Sequence, residues 1–124
     1  MITVDTSAWV EHLGHRLARL AKLLQEGEVL IHPWVIGELA CVHLRNRREV
    51  LKLLQVLPAA VVAGDAEVLL LIERDQLMGR SISYVDAHLL ASARLSHCRL
   101  WSQDRRLASL AQEQGLAETD PPGQ

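Results

Sequence analysis

Short apolar runs alternate along this chain with longer stretches of helical period. Ile2–Val4 reads as a buried strand, and Thr6 to about Leu13 as a first short helix. Leu17, Leu20, Ala21, Leu23 and Leu24 recur at the spacing of one helix face, with Arg19, Lys22 and Gln25 between them and Gly27 as a stop. Val29–His32 is a second short strand. Pro33 fits the first turn of the next helix, where its missing N–H costs nothing, and that helix is predicted to reach about Leu44. A further helix spans Arg47 to Leu54, stopped by Pro58, and Ala59–Val62 is strand-like until Gly64 breaks it. Asp65 is placed to cap a helix running to about Met78, and Ser83 to cap one running to about Ser96. Arg99–Trp101 forms a strand, and Asp104 to Gln114 a last helix ended by Gly115. Residues 119–124 are expected to fray. Strands alternating with helices predict an α/β fold with a mostly parallel sheet. A length of 124 residues, with no repeat or internal linker, predicts a single domain over 1–124.

Composition narrows this picture only at a few points. Apolar residues make up 49% of the chain, ample for a folded core. Cys41 and Cys98 are too few and too isolated for a disulfide framework or a zinc site, so reduced thiols and a cytoplasmic location are expected. The N-terminus lacks the basic-then-apolar pattern of a signal peptide, and the apolar runs are too short to span a bilayer. A net charge of −2 argues against nucleic-acid binding through global charge but leaves room for a local patch. Arg45, Arg47 and Arg48 cluster, as do Arg105 and Arg106, and both groups read first as solvated helix faces.

Four acidic residues change the picture most. Asp5 ends the first strand, Glu38 lies inside Trp34-Val-Ile-Gly-Glu-Leu-Ala-Cys, Asp86 opens an alanine-rich helix, and Asp104 follows the last strand. A carboxylate at an apolar place is costly unless something pairs with it. Sites in open α/β sheets form beyond the carboxyl ends of strands, so different loops are able to bring these groups to one crevice. Glu38 has Trp34, Val35, Cys41 and Val42 as its helical neighbours, which predicts a buried face. Each residue also has a plainer reading. Asp5 and Asp104 suit helix N-caps, and Asp86, three residues after Ser83, suits a first-turn acid favoured by the helix dipole. Glu73 passes the same neighbour test as Glu38 but shares its helix with Glu67, Arg74 and Asp75, so it reads as solvated or ion-paired. If the four converge, their repulsion calls for a hard divalent cation, and oxygen-only ligands select Mg²⁺ or Mn²⁺ over zinc. Such an ion activates water and stabilises charge on a phosphodiester. The hydroxyls of Thr6, Ser7 and Ser102 are candidates to support the ligands or place the water, or simply to cap helices.

These residues resemble the motifs of the PIN-domain family. Met1-Ile-Thr-Val-Asp-Thr-Ser-Ala-Trp-Val is similar to the family's opening strand and aspartate, and Gly37-Glu-Leu to its helical glutamate motif. Gly79-Arg-Ser-Ile-Ser-Tyr-Val-Asp-Ala-His-Leu-Leu-Ala-Ser-Ala is similar to the third motif, and Leu100-Trp-Ser-Gln-Asp-Arg-Arg-Leu to the fourth. Ser102 stands where a threonine is more usual, and Leu107 where phenylalanine is often found. The size and the Asp-Thr-Ser-Ala-Trp opening look most like the VapC toxins of VapBC toxin–antitoxin pairs. The resemblance implies a three-layer α/β/α sandwich and a Mg²⁺- or Mn²⁺-dependent endoribonuclease, with Asp5, Glu38, Asp86 and Asp104 at the metal. It also implies an RNA substrate, a homodimer and inhibition by a VapB-like antitoxin. Arg80 and Tyr84, beside the third motif, are further candidates for substrate contact. No aromatic stacking platform is evident among Trp9, Trp34, Tyr84 and Trp101. A haloacid-dehalogenase-type phosphatase would need an aspartate at Ser7, and a receiver domain a lysine after a late strand, where this chain has none. Two alternatives stay open: a PIN-like RNA- or protein-binding module that does not cut, and an RNA-processing nuclease outside any toxin–antitoxin pair.

Overall fold

A computed structural model describes residues 1–118; the predicted fraying of 119–124 lies outside the described residues. Three short strands form one parallel sheet in the order β2-β1-β3: β1 (Ile2–Val4), β2 (Val29–Leu30) and β3 (Arg99–Trp101). Ile31 adds a parallel bridge to Ala59, so the strand-like Ala59–Val62 survives only as that single pairing. Seven helices surround the sheet: α1 (Thr6–His15), α2 (Ala18–Gln25), α3 (Pro33–Ala40), α4 (Arg47–Val56), α5 (Asp65–Arg74), α6 (Tyr84–Leu95) and α7 (Arg105–Glu113). Successive residues of β1 point to opposite faces, yet Ile2, Thr3 and Val4 are all buried. Helices therefore cover both faces, which makes the α/β architecture three-layered.

Local chemistry explains most boundaries. Ser83 caps α6 by accepting from the Asp86 amide while the Asp86 carboxylate accepts from the Ser83 amide, each at 3.0 Å. Gly27 and Gly115, at φ of 69° and 71°, take the left-handed conformation that follows α2 and α7. Three boundaries depart from the sequence pattern. Helix α3 stops at Ala40 rather than near Leu44, because its buried stripe is only Val35 and Leu39. Helix α5 ends at Arg74 rather than Met78, with Gln76 left-handed after it. Asp65 is the first residue of α5, not its cap; Gly64 takes that place, and its amide donates to Glu67.

The core is one cluster running through all three layers. Its centre is α6, where every residue from Ala87 to Ala93 is buried. Among the described residues no helix is long and apolar enough to cross a membrane. Cys41 is exposed and Cys98 buried, both as free thiols.

His32, at the end of the second strand, is wholly buried and caps α3 by accepting from the Trp34 amide at its Nδ1. That bond requires a neutral ring. Burial, with help from neighbouring His88, pushes the His32 pKa down to about 4 from 6.5. The stability this neutral ring contributes is complete above pH 6.5 and is lost as pH falls toward 4. In that window the unfolded chain takes up a proton that the folded chain refuses. The loss amounts to roughly 3 kcal/mol, at about 1.4 kcal/mol per pH unit. Urea unfolding at a series of pH values checks this. The acid-side decline of the natural protein should exceed that of His32→Asn, which keeps a capping acceptor but does not titrate. Parallel curves for the two proteins would refute the assignment.

Candidate active site

Strand β1 delivers Asp5 directly to the start of α1. The carboxylate is only 4% exposed, and both oxygens are engaged. Oδ1 accepts from the Ala8 amide at 2.9 Å and the Ser7 hydroxyl at 2.7 Å; Oδ2 accepts from the Ser102 hydroxyl at 2.5 Å. Asp5 is thus an N-cap as well as a buried acid. Burial pushes its pKa up despite the three hydrogen bonds, and the negative charge of Asp86 pushes in the same direction.

Hydroxyls join Glu38 and Asp104 to this centre, while Asp86 bonds only within its own capping box. Thr6 donates to Glu38 Oε1 at 2.5 Å, which ties α3 to the first turn of α1. Ser102, at the end of β3, accepts from the Asp104 amide at 2.9 Å while it donates to Asp5. Ser7 accepts from the Gln103 amide at 3.0 Å and stands 3.4 Å from the Ser102 oxygen. Asp104 caps α7 through Oδ1, which accepts from Arg106 and Leu107 amides. Thr6, Ser7 and Ser102 therefore connect rather than cap, and the plainer readings hold: Asp5 and Asp104 cap α1 and α7, and Asp86 completes the capping box of α6.

Glu38 corrects an expectation. It is exposed rather than buried, because α3 turns only Val35 and Leu39 inward and leaves Gly37, Glu38 and Cys41 at the surface. Asp104 is also exposed and Asp86 half-buried, so Asp5 is the one deeply buried member. Glu73 is exposed, as its helix predicted.

Lack of an ion pair is shared by these four acids and the exposed Glu49, Glu67 and Glu73 among the described residues; burial of Asp5 is what distinguishes the group. Among the described residues, none of the four has a Lys, Arg or His partner within ion-pair distance, whereas Asp65, Asp75, Glu113 and Glu118 each do. Glu38, Asp86 and Asp104 each spend one oxygen on the protein; Oε2 of Glu38, Oδ1 of Asp86 and Oδ2 of Asp104 accept no hydrogen bond from the described residues. No three His, Cys, Asp or Glu side chains among the described residues stand close enough together to hold a metal ion as they lie. As a donor set, four carboxylates with hydroxyl supports match a hard divalent cation.

The two weaker candidates are otherwise engaged. Arg80 lies 3.0 and 3.2 Å from the two Glu113 oxygens. The Tyr84 hydroxyl donates to Asp65 at 2.7 Å. Sequence reasoning missed what surrounds Tyr84: its ring meets Trp34 and His88, which sit fifty and four residues away. The four-residue spacing of Tyr84 and His88 on one helix was the available signal; the approach of Trp34 is tertiary.

Comparison with known proteins agrees with this architecture. The sequence profile of the PIN domain matches residues 2–113. Ribonuclease VapC32 of Mycobacterium tuberculosis, in strains CDC 1551 / Oshkosh and ATCC 25618 / H37Rv, is 46% identical over 118 residues, covering 94% of this chain and 95% of the relative. The crystal structure of PAE2754 from Pyrobaculum aerophilum superposes with a TM-score of 0.58 at 20% identity, over 87% of this chain and 77% of that one. At that identity the likeness speaks for the fold, while the profile and the relatives speak for descent: the chain belongs to the PIN-domain family and is VapC-like.

Proposed function

We propose that this protein is a Mg²⁺- or Mn²⁺-dependent endoribonuclease and the toxin of a VapBC pair. The reading is carried by one observation: Asp5 is a buried carboxylate with no cationic partner, its charge opposed by that of Asp86, and the hydroxyls of Thr6 and Ser102 beside it engage Glu38 and the Asp104 amide. Near-full-length identity to a ribonuclease supports it. Asp5, Glu38, Asp86 and Asp104 would hold the ion. When bound, it supplies an activated water and stabilises the negative charge that builds on the phosphodiester.

The chain's own residues do the positioning. Ser7, Ser102 and the Ala8 amide fix the Asp5 carboxylate from two sides, so it cannot rotate away. Thr6 orients Glu38, and the Ser83 cap orients Asp86. Burial of Asp5 lowers the local dielectric and strengthens its attraction for a cation. The partners that follow from this reading are an RNA substrate, a VapB-like antitoxin and a second copy in a homodimer. The whole chain acts as one domain in the cytoplasm.

Incubation of purified protein with single-stranded and structured RNA tests the reading. Cleavage is expected with Mg²⁺ or Mn²⁺, lost with EDTA and restored by excess metal. No cleavage by folded, antitoxin-free protein would favour a PIN-like module that binds RNA or protein without cutting. Cleavage by a protein with no small inhibitory partner encoded beside it would place the enzyme in RNA processing instead.

A further inference from the structure

Trp34 and Tyr84 come together beside the acidic site although fifty residues separate them. Trp34 lies one helical turn before Glu38 on α3, and so on the same face. Tyr84 lies two residues before Asp86 at the start of α6. The two rings are 6.0 Å apart at 55°. His88 supports both: its ring lies 4.1 Å from Trp34, and Tyr84 meets it edge-on at 4.8 Å. His88 is 2% exposed and Tyr84 40%, so the histidine is the floor and the tyrosine the open edge.

Asp65 holds this group in place. Its Oδ1 accepts from the Tyr84 hydroxyl at 2.7 Å and lies 3.1 Å from His88 Nε2. A ring that only filled the core would not be 40% exposed with its hydroxyl spent on a surface carboxylate. Fixing an exposed ring before a ligand arrives removes an ordering cost from binding.

We propose that Trp34 and Tyr84 form a shelf on which one base of single-stranded RNA stacks, next to the phosphodiester at the acidic site; the proposal rests on the RNA-cleaving reading above. Stacking on aromatic side chains is how unpaired bases are held, and every base has a face to offer. Such a contact suits this chain in particular. A net charge of −2 and four uncompensated carboxylates make phosphate attraction weak, and stacking does not depend on charge.

Tryptophan emission supplies the test. Trp9 and Trp101 are buried at 3% and 2%, so quenching by a base reports Trp34. A short single-stranded oligoribonucleotide is titrated in Mg²⁺ into the natural protein and into Asp5→Asn, which removes turnover. Quenching is expected in both. It should vanish in Trp34→Leu. Affinity should fall about 5- to 150-fold in Tyr84→Leu, the factor that matches the ~1–3 kcal/mol of one base stack. Tyr84→Phe, which keeps the ring, should retain most of it, and an oligomer with a single abasic position should lose affinity at one register only. Binding unchanged in Trp34→Leu and Tyr84→Leu, or no quenching by any oligomer, overturns the shelf even if the protein cuts RNA. Quenching without metal-dependent cleavage upholds the shelf and overturns the nuclease reading instead.

Discussion

Asp5→Asn should abolish metal-dependent RNA cleavage to within about a hundredth of the natural rate, without unfolding the protein. The rate estimate is conservative. Loss of a residue that only supports a metal ligand already costs about 10- to 100-fold, and Asp5 is proposed as a ligand itself. The stability half follows from the direction of its pKa. Burial holds the Asp5 pKa above the ordinary carboxylate value. The folded chain therefore binds this proton more tightly than the unfolded one, and stability is lost as pH rises through the folded pKa. At neutral pH without metal the charged form is a burden that asparagine lacks. Asparagine also keeps an acceptor for the Ala8 amide, so the cap on α1 survives. Turnover of RNA, calorimetric Mn²⁺ binding and the thermal midpoint in EDTA should be measured on both proteins. Weak metal binding, lost turnover and an equal or higher midpoint are expected. Normal turnover in the variant would remove Asp5 from the site.

The places of Asp5, Asp86 and Asp104 in the fold were legible because their local signals were strong. Asp5 and Asp104 follow apolar runs that form β1 and β3, and Ser83 with Asp86 makes a capping box at three-residue spacing. The parallel sheet was legible from the same alternation. What failed was the inference about Glu38. Helical neighbours predict a face but not how much of that face the rest of the fold covers. Covering depends on α3's surroundings: Val35 and Leu39 are buried, while Glu38 meets α1 only through the Thr6 hydroxyl and stays exposed. The strand at Ala59–Val62 failed for a similar reason, since only the bridge to Ile31, made by the Pro58 carbonyl and the Ala60 amide, forms. The hydroxyl links from Thr6 to Glu38 and from Ser102 to Asp5 span 32 and 97 residues, and no local pattern encodes such distances. The aromatic shelf was overlooked on the same ground.

A capping role is compatible with the metal role proposed for these acids. A cap needs one carboxylate oxygen and leaves the other available. Glu38, Asp86 and Asp104 each show this division, by a hydroxyl or by amides. Helix starts supply rigid mounts for Asp5, Asp86 and Asp104, whose carboxylates accept from backbone amides, whereas Glu38 is held by the Thr6 hydroxyl. Asp5 differs because β1 places it inside the core, where three groups, the Ala8 amide and the Ser7 and Ser102 hydroxyls, occupy both of its oxygens. In the proposed site, three of the four acids are thus placed by secondary-structure boundaries, so their positions depend on how firmly those boundaries are packed.

Leu90→Ala should lower unfolding free energy by about 2–5 kcal/mol, the range for leucine truncation in a rigid core. Leu90 is fully buried in the middle of α6, between the sheet and α5. Its neighbours from Ala87 to Ala93 are all buried, so no surface group is available to fill the space. Against a total stability of about 5–15 kcal/mol, the loss is a large fraction. Leu90→Met keeps the volume and should cost less than about 1.5 kcal/mol. Urea midpoints of the three proteins decide this, and a loss under about 1 kcal/mol in Leu90→Ala would mean that α6 relaxes into the gap. The same experiment in saturating Mn²⁺ links packing to the site. A metal that binds only the folded state raises stability by an amount set by its concentration over its Kd. Asp86 lies one turn before Leu90 on α6. An equal Mn²⁺ increment in Leu90→Ala and the natural protein would show that the cavity leaves Asp86 in place, and a smaller one that the ligand's position depends on the packing of its helix.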